Sequence, residues 1–332
     1  MVRAPRMTLR RLLVMFLVLT AAAGCRAHSA STVRAPPLVL EQTIALKGVV
    51  GRIDHLAIDV QRRRVFVAEL GNGTVEAIAL AHGASLGRIS GLKEPQGLAY
   101  LPARDELVVA SGGDGSVRFY RAADLSPLGV VQVGDDADNL RVDAAGRVVV
   151  GYGVGGLAVI DPASLKVVAR LVLPAHPEGF RLEGNRVFVN LPDGGRIVVG
   201  DWASRRIVHT WPGAYRWNFP MALDPAGHVL AVVYRFPARL QLLDESTGAV
   251  KLDRATCGDA DDAFFDPPRH RIYVTCGAGA VDVVDLVRAD QSVRIKTRLG
   301  ARTGLYLPEL DRLIVAARAE PGADALLLVF RP

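Results

Sequence analysis

Short apolar runs with a period of two fill the chain from residue 38 to its end, and turns rich in Gly, Pro, Asp and Asn separate them. No stretch of that region sustains a helical period. The runs "RVFVAE", "ELVVAS", "RVVVGY", "RVFVNL", "HVLAVVY", "RIYVTC" and "RLIVAAR" are versions of one strand. Each follows a shorter strand that opens at a loop-to-strand junction. Those junctions fall at Asp54, Gln96, Asp138, Glu178, Phe219, Asp261 and Arg302, spaced by 42, 42, 40, 41, 42 and 41 residues. A third, alternating strand comes next, such as "LAVID" (157–161), "LQLLD" (240–244) or "VDVVD" (281–285). A fourth closes the unit, as in "VVARLVL" (167–173). Four strands repeated seven times at this period predict an all-β fold, a seven-bladed β-propeller. The last copy ends after its third strand, "ALLLVF" (325–330), and "LVLEQTIAL" (38–46) stands ahead of the first. The N-terminal strand is therefore expected to complete the last blade and close the ring, leaving no open edge.

The first 25 residues follow a different pattern. Four arginines (Arg3, Arg6, Arg10 and Arg11) precede the apolar "LLVMFLVLTAAAG" (12–24), which is too short for a stable transmembrane helix. This is the form of an export signal. It ends in "AAGC", which resembles the lipobox of bacterial lipoproteins, although Ala22 stands where Leu is usual. Two outcomes stay open: lipidation of Cys25, or simple cleavage near the alanines. Residues 26–37, "RAHSASTVRAPP", read as a flexible tether. The expected location is outside the cytoplasm, periplasmic or lipid-anchored to the envelope, with that anchor as the only contact with a membrane. The formal net charge of +6 includes the four leader arginines, so the remainder is nearly neutral. It has no electrostatic footprint for nucleic acid. A monomer is expected.

"RIYVTCGAGAVDVVDL" and "RVFVAELGNGTVEAIAL" resemble the YVTN-type repeat of exported bacterial propellers, the YncE-like family. Tyr273, Val274 and Thr275 match the motif, with Cys276 in place of its asparagine, while Asn190 keeps the asparagine in its own copy. The resemblance covers residues 38–332. It implies the propeller fold strongly and a function weakly, since such relatives include binding proteins, lactonase-like enzymes and subunits of cofactor enzymes.

The register gathers one set of polar residues. In a propeller the first strand of each blade lines the central channel, and the loop before it sits at one mouth. The ends of the second strands reach the same mouth. Candidate ligand-binding residues are thus Asp54, His55, Gln96, Asp138, Asn139, Glu178, Asp261, Asp262 and Arg302. Thr303, Glu69, Tyr152, Asn190, Arg235 and Cys276 belong to the same end. Aspartates before strands also fix turns, and neighbouring blades can be joined by carboxylates paired with Arg141, Arg181 or Arg302. Yet the junction residue runs Asp, Gln, Asp, Glu, Phe, Asp, Arg, a variety suited to an asymmetric site.

The charge-rich "GDDADNLRVD" (134–143) and "GDADDAFFD" (258–266) are expected to form two walls of that site. If a metal binds, Asp138, Asn139, Glu178 and Asp261 offer oxygens, which favours Ca²⁺ or Mg²⁺. His176 reads as a residue that orders its loop, with a general base as the alternative. Trp211 and Trp217 flank "TWPGAYRWNFP", read as a long loop able to form a lid. Asp161, Asp201, Asp244 and Asp285, at the opposite end, read as turn residues. Cys257 and Cys276 both fall near the mouth and are expected to form a disulfide in an oxidising compartment, against the alternative of two buried thiols. The chain lacks haem-attachment, H-E-x-x-H and P-loop motifs. The leading functional expectation is an envelope binding or scaffold protein for a small polar ligand or a partner protein. The alternatives are a metal-dependent, lactonase-like hydrolase and an accessory subunit of a periplasmic redox enzyme.

Overall fold

Alternation and tight turns produce 28 strands in the computed structural model, which describes Met1, Val2 and residues 37–332. The leader, Cys25 and all of the tether but Pro37 lie outside the described residues. The only helices among the described residues are four single turns of 3₁₀ type. The strands form seven antiparallel sheets of four. Blade one runs outward from the channel as Leu56–Asp59, Arg64–Glu69, Thr74–Ala79 and Ser85–Ile89. Blade three repeats the order with Leu140–Val142, Val148–Tyr152, Gly156–Asp161 and Lys166–Val172. The fold is a seven-bladed β-propeller.

Why the second strands are apolar on both faces follows from where they sit. Val65 and Val67 pack with Ile314 and Ala316 of blade seven. Phe66 and Ala68, pointing the other way, pack with Leu107 and Val109 of blade two. Period-two alternation thus feeds two seams from one strand. Seven apolar clusters fill the seven seams between adjacent blades. Each fully buried Val, Leu or Phe contributes about 1.5–3 kcal/mol to holding a seam. Outer strands face solvent on one side, and Lys166–Val172 alternates between exposed positions and partly or fully buried ones.

Blade seven is built from both ends of the propeller. Thr303–Leu307, Arg312–Ala317 and Ala325–Arg331 are its first three strands, and Val39–Leu46 adds to the last of them as the fourth. Ile44 and Leu46 are buried in the seam with blade one. On the surface, Glu41 accepts ion pairs from Arg312 and Arg331, each at 2.7 Å.

The segment "TWPGAYRWNFP" differs from its reading as a long loop. Arg206–Pro212 and Arg216–Asp224 are strands, and only Gly213–Tyr215 joins them. Trp211 packs toward Phe188, with ring centroids 6.3 Å apart, and Trp217 toward Phe236 at 6.1 Å. Aromatic residues here support pleated strands rather than a lid. Cys257 and Cys276 form a disulfide with Cα atoms 5.8 Å apart, and both residues are buried. It ties the approach to blade six to the end of that blade's second strand.

Candidate functional site at the channel mouth

The junction residues reach the mouth because the ladder lets go of them. Register shifts fall between Pro95 and Leu98 in blade two, Asn218 and Met221 in blade five, and Ala260 and Asp262 in blade six. Gln96, Phe219 and Asp261 therefore sit in β-bulges, which re-aim side chains away from the regular pleat. In blades three and four the paired strand begins later, at Leu140 and Phe180. Asp138 and Glu178 are held instead by their own N–H groups, which donate to the carbonyls of Gly151 and Asn190, both at 3.0 Å. Glycine permits the close approach of neighbouring blades at this level. A Cβ on Gly97 would fall 2.1 Å from the Asp138 carbonyl oxygen, and one on Gly179 would fall 2.5 Å from that of Phe219.

These residues line an open bowl of about 820 Å³. Seven carboxylates and three arginines face it, so the bowl is acidic although the chain is not. Its floor narrows to a throat of about 20 Å³, room for little more than a water molecule. Asp138, Glu178 and Asp261 line both bowl and throat, while Asp54, His55, Asn139 and Asp262 line the throat. Beyond it the channel is walled by Leu56, Leu98, Leu140 and Phe264, with Arg141 and Arg181 beside them.

One wall is a closed ion-pair network. Asp261 is gripped by Arg235, approached by Arg302 at 3.3 Å, and accepts the Thr303 hydroxyl at 3.3 Å. Arg302 also reaches Asp259 at 3.1 Å, and the Arg235 guanidinium lies over the Phe219 ring. Burial works to raise the Asp261 carboxyl, but Arg302 and Arg235 outweigh it and hold it below its ordinary value. This carboxylate stays charged and is fully engaged.

The facing wall is electrostatically unfinished. Asp138 is buried, accepts only a long hydrogen bond from the Asn139 amide at 3.4 Å, and leaves Oδ1 without a hydrogen-bond partner. The Glu178 carboxylate makes no hydrogen bond or ion pair among the described residues. Burial, then Glu178 and Asp54, push Asp138 well above the usual carboxylate range. Burial first and Asp261 second push Glu178 up to about 8. His176 stands beside them, its Nδ1 donating to the Gly153 carbonyl at 2.7 Å. In the throat, Asp54 pairs with Arg52 at 2.7 Å and lies 3.8 Å from His55. Asp262 accepts the Gly304 N–H at 2.9 Å, and burial pushes it up to about 6. Gln96 donates to Asp136 at 3.2 Å on the rim.

The structure therefore gathers all nine expected residues at one mouth but divides them by environment. The expected metal set divides as well, because Asp261 is spent on arginine whereas Asp138 and Glu178 are not. Arg302 joins blades as expected. Arg141 and Arg181 instead donate to the carbonyls of Leu140 and Phe180, and burial followed by the nearby Arg141 pushes Arg181 down to about 9. Glu69 faces the seam with Glu76 and Arg88 rather than the bowl. Asn190 donates to the carbonyls of Phe219 and Pro220, both at 3.2 Å. Asp161, Asp201, Asp244 and Asp285 accept backbone N–H groups two or three residues ahead, as turn residues do. Arg52, Asp136 and Asp193 also reach the mouth, and the repeat register did not mark them. Arg52 precedes its junction by two residues and Asp136 does the same, an offset visible only once blades are aligned.

The fold and this mouth define a seven-bladed propeller with a polar, asymmetric bowl over a constricted channel. A solved chain of Kuenenia stuttgartiensis hydrazine synthase is similar to it, with a TM-score of 0.75 over 86% of this chain and 97% of that one. At 15% identity, that likeness concerns the fold. No family model matches the chain, and no curated protein is significantly similar to it.

Proposed function

We propose that this is an exported propeller of the YVTN-repeat type that binds a small, positively charged or zwitterionic ligand in the bowl, as a binding or scaffold protein of the bacterial envelope. The observation that carries the reading is the bowl's lining: seven carboxylates against three arginines, in a chain that is nearly neutral once the four leader arginines are set aside. A cavity of about 820 Å³ suits a small molecule. An ammonium group fits the unfinished wall of Asp138 and Glu178, and a carboxylate fits the Arg52 and Arg302 side. The hydrazine synthase likeness supports the propeller fold and carries no function to this chain. Export rests on the arginine-rich leader and the cysteine after it.

Calorimetric titration of the purified protein with spermidine and with free arginine, in chelator, tests the binding. Wild type should bind one of the two with an affinity that falls as salt rises. Asp136→Asn with Asp193→Asn, on the rim, should weaken it several-fold. No heat with either probe, or binding indifferent to salt and to both substitutions, rules the reading out. Fractionation of cells expressing the full chain and Cys25→Ser tests the location. Wild type should be in the envelope, and the variant should lose its lipid.

A further inference from the structure

Three groups on the acidic wall converge more tightly than a general polar surface requires. One ring nitrogen of His176 and one oxygen each of Asp138 and Glu178 all lie within 4.8 Å of one another. A small inward movement of the carboxylates brings such a set onto a single ion with bonds of about 2.0–2.2 Å. Two further observations point to a ligand. Asp138 is 7% exposed, and its Oδ1 has no hydrogen-bond partner. A bare buried carboxylate oxygen is costly unless a cation or a donor completes it. The second is the His176 tautomer. A carbonyl oxygen cannot donate, so the 2.7 Å contact with Gly153 places the proton on Nδ1. Nε2 is then the nitrogen with a lone pair to offer, and the Gly153 carbonyl orients the ring, as hydrogen-bond partners of metal-bound histidines do.

We infer that Asp138, His176 and Glu178 form a three-ligand site for a divalent first-row transition cation of the zinc type, open toward the bowl. The inference rests on the reading of the bowl as a binding site and names what completes its acidic wall. The donor set decides the class of metal. Ca²⁺ takes six to eight oxygens and Mg²⁺ about six, whereas this wall offers two carboxylates and an imidazole. Two carboxylates balance the ion's charge, and three protein ligands leave a position for water or for a ligand in the bowl. Asp261, paired with arginine, stays out of the set. His176, two residues before the blade-four junction, enters it.

The test uses purified, untagged protein stripped with chelator and dialysed, titrated with Zn²⁺, Mn²⁺, Ca²⁺ or Mg²⁺ alone. One equivalent of Zn²⁺ should bind per chain, at least tenfold more tightly than Ca²⁺ or Mg²⁺, and should raise the melting temperature. Asp138→Asn, Glu178→Gln and His176→Gln should each weaken Zn²⁺ at least tenfold, with melting temperatures in chelator reporting whether each variant folds. Any variant that fails to fold is set aside, and the other two carry the test. Absence of stoichiometric Zn²⁺ binding, Ca²⁺ binding as tight as Zn²⁺, or Zn²⁺ binding untouched in the folded variants overturns the site. Spermidine and arginine binding in chelator is measured separately, so the metal site can fail while the bowl's ligand reading stands.

Discussion

Two aspartates at equivalent positions of the repeat have opposite surroundings, and that difference sets what each substitution does. Asp261 neutralises Arg235 and Arg302 in a partly closed wall. Asp261→Ala should cost about 2–4 kcal/mol in urea melts, because it leaves two arginines short of a partner. Asp138→Asn in metal-free protein should be neutral or stabilising, since the charged carboxyl is disfavoured there by burial and by Glu178. Equal losses in the two variants would show that both are structural joints. A second case lies in blade one, where burial pushes Glu69 from 4.5 up to about 7. Burial also opposes the charge on Glu76, but Ser85 and Arg88 outweigh it. Between those two values for Glu69 the folded state keeps a proton that the unfolded chain releases, so stability falls as pH rises through the window. Glu69→Gln removes that loss. Relative to the variant, wild type should lose about 1–3 kcal/mol between about pH 5 and pH 8, and no pH-dependent difference would reject the assignment. The junction register made Asp138 and Glu178 legible in sequence. His176, Arg52 and Asp136 stand two residues before their junctions, and the junction register alone did not mark them as members of the site.

At the scale of the strand, the sequence was legible wherever two faces are buried alike. "RVFVAE" reads as a strand because both sides feed apolar seams, and seven repetitions fix the phase. Bulges were not legible. "DADDAFF" shows no sign that Asp261 drops out of the ladder, because a bulge depends on the pairing partner as much as on its own residues. "TWPGAYRWNFP" failed for a related reason: Pro and Gly signal turns, yet only Gly213–Tyr215 turns, and Pro212 and Pro220 are taken into strands. The disulfide acts at this scale, closing a span of 19 residues around the first two strands of blade six. Replacing both Cys257 and Cys276 by Ser should lower stability by about 3 kcal/mol in the chain-entropy account, plus a part for two buried sulfurs exchanged for hydroxyls. Thiol titration of denatured, unreduced protein should find neither of the two free. Finding both free would remove the bridge.

A ring of blades has no strong element of its own, since each sheet is stable only between two neighbours and stability depends on every seam being filled. The seam between blades seven and one is the one whose two sides come from opposite ends of the propeller. Val39–Leu46 supplies it with Ile44 and Leu46, 3% and 1% exposed, and pairs along Ala325–Arg331. Leu40, on the same strand, is 50% exposed, so strand formation and closure can be separated by two single substitutions. Ile44→Ala should cost about 2–5 kcal/mol, the usual loss for a buried branched side chain. Leu40→Ala, at the surface, should change stability by less than about 0.5 kcal/mol. The same closure predicts a cooperative melt. Release of Val39–Leu46 exposes the edge of Ala325–Arg331 to pairing with other chains, so the Ile44→Ala protein should also aggregate sooner on heating. Urea midpoints for the two variants, with light scattering during the thermal ramp, measure both effects. If Ile44→Ala unfolds at the wild-type midpoint and stays as soluble, the N-terminal strand does not hold the ring, and closure must come from contacts between blades one and seven alone.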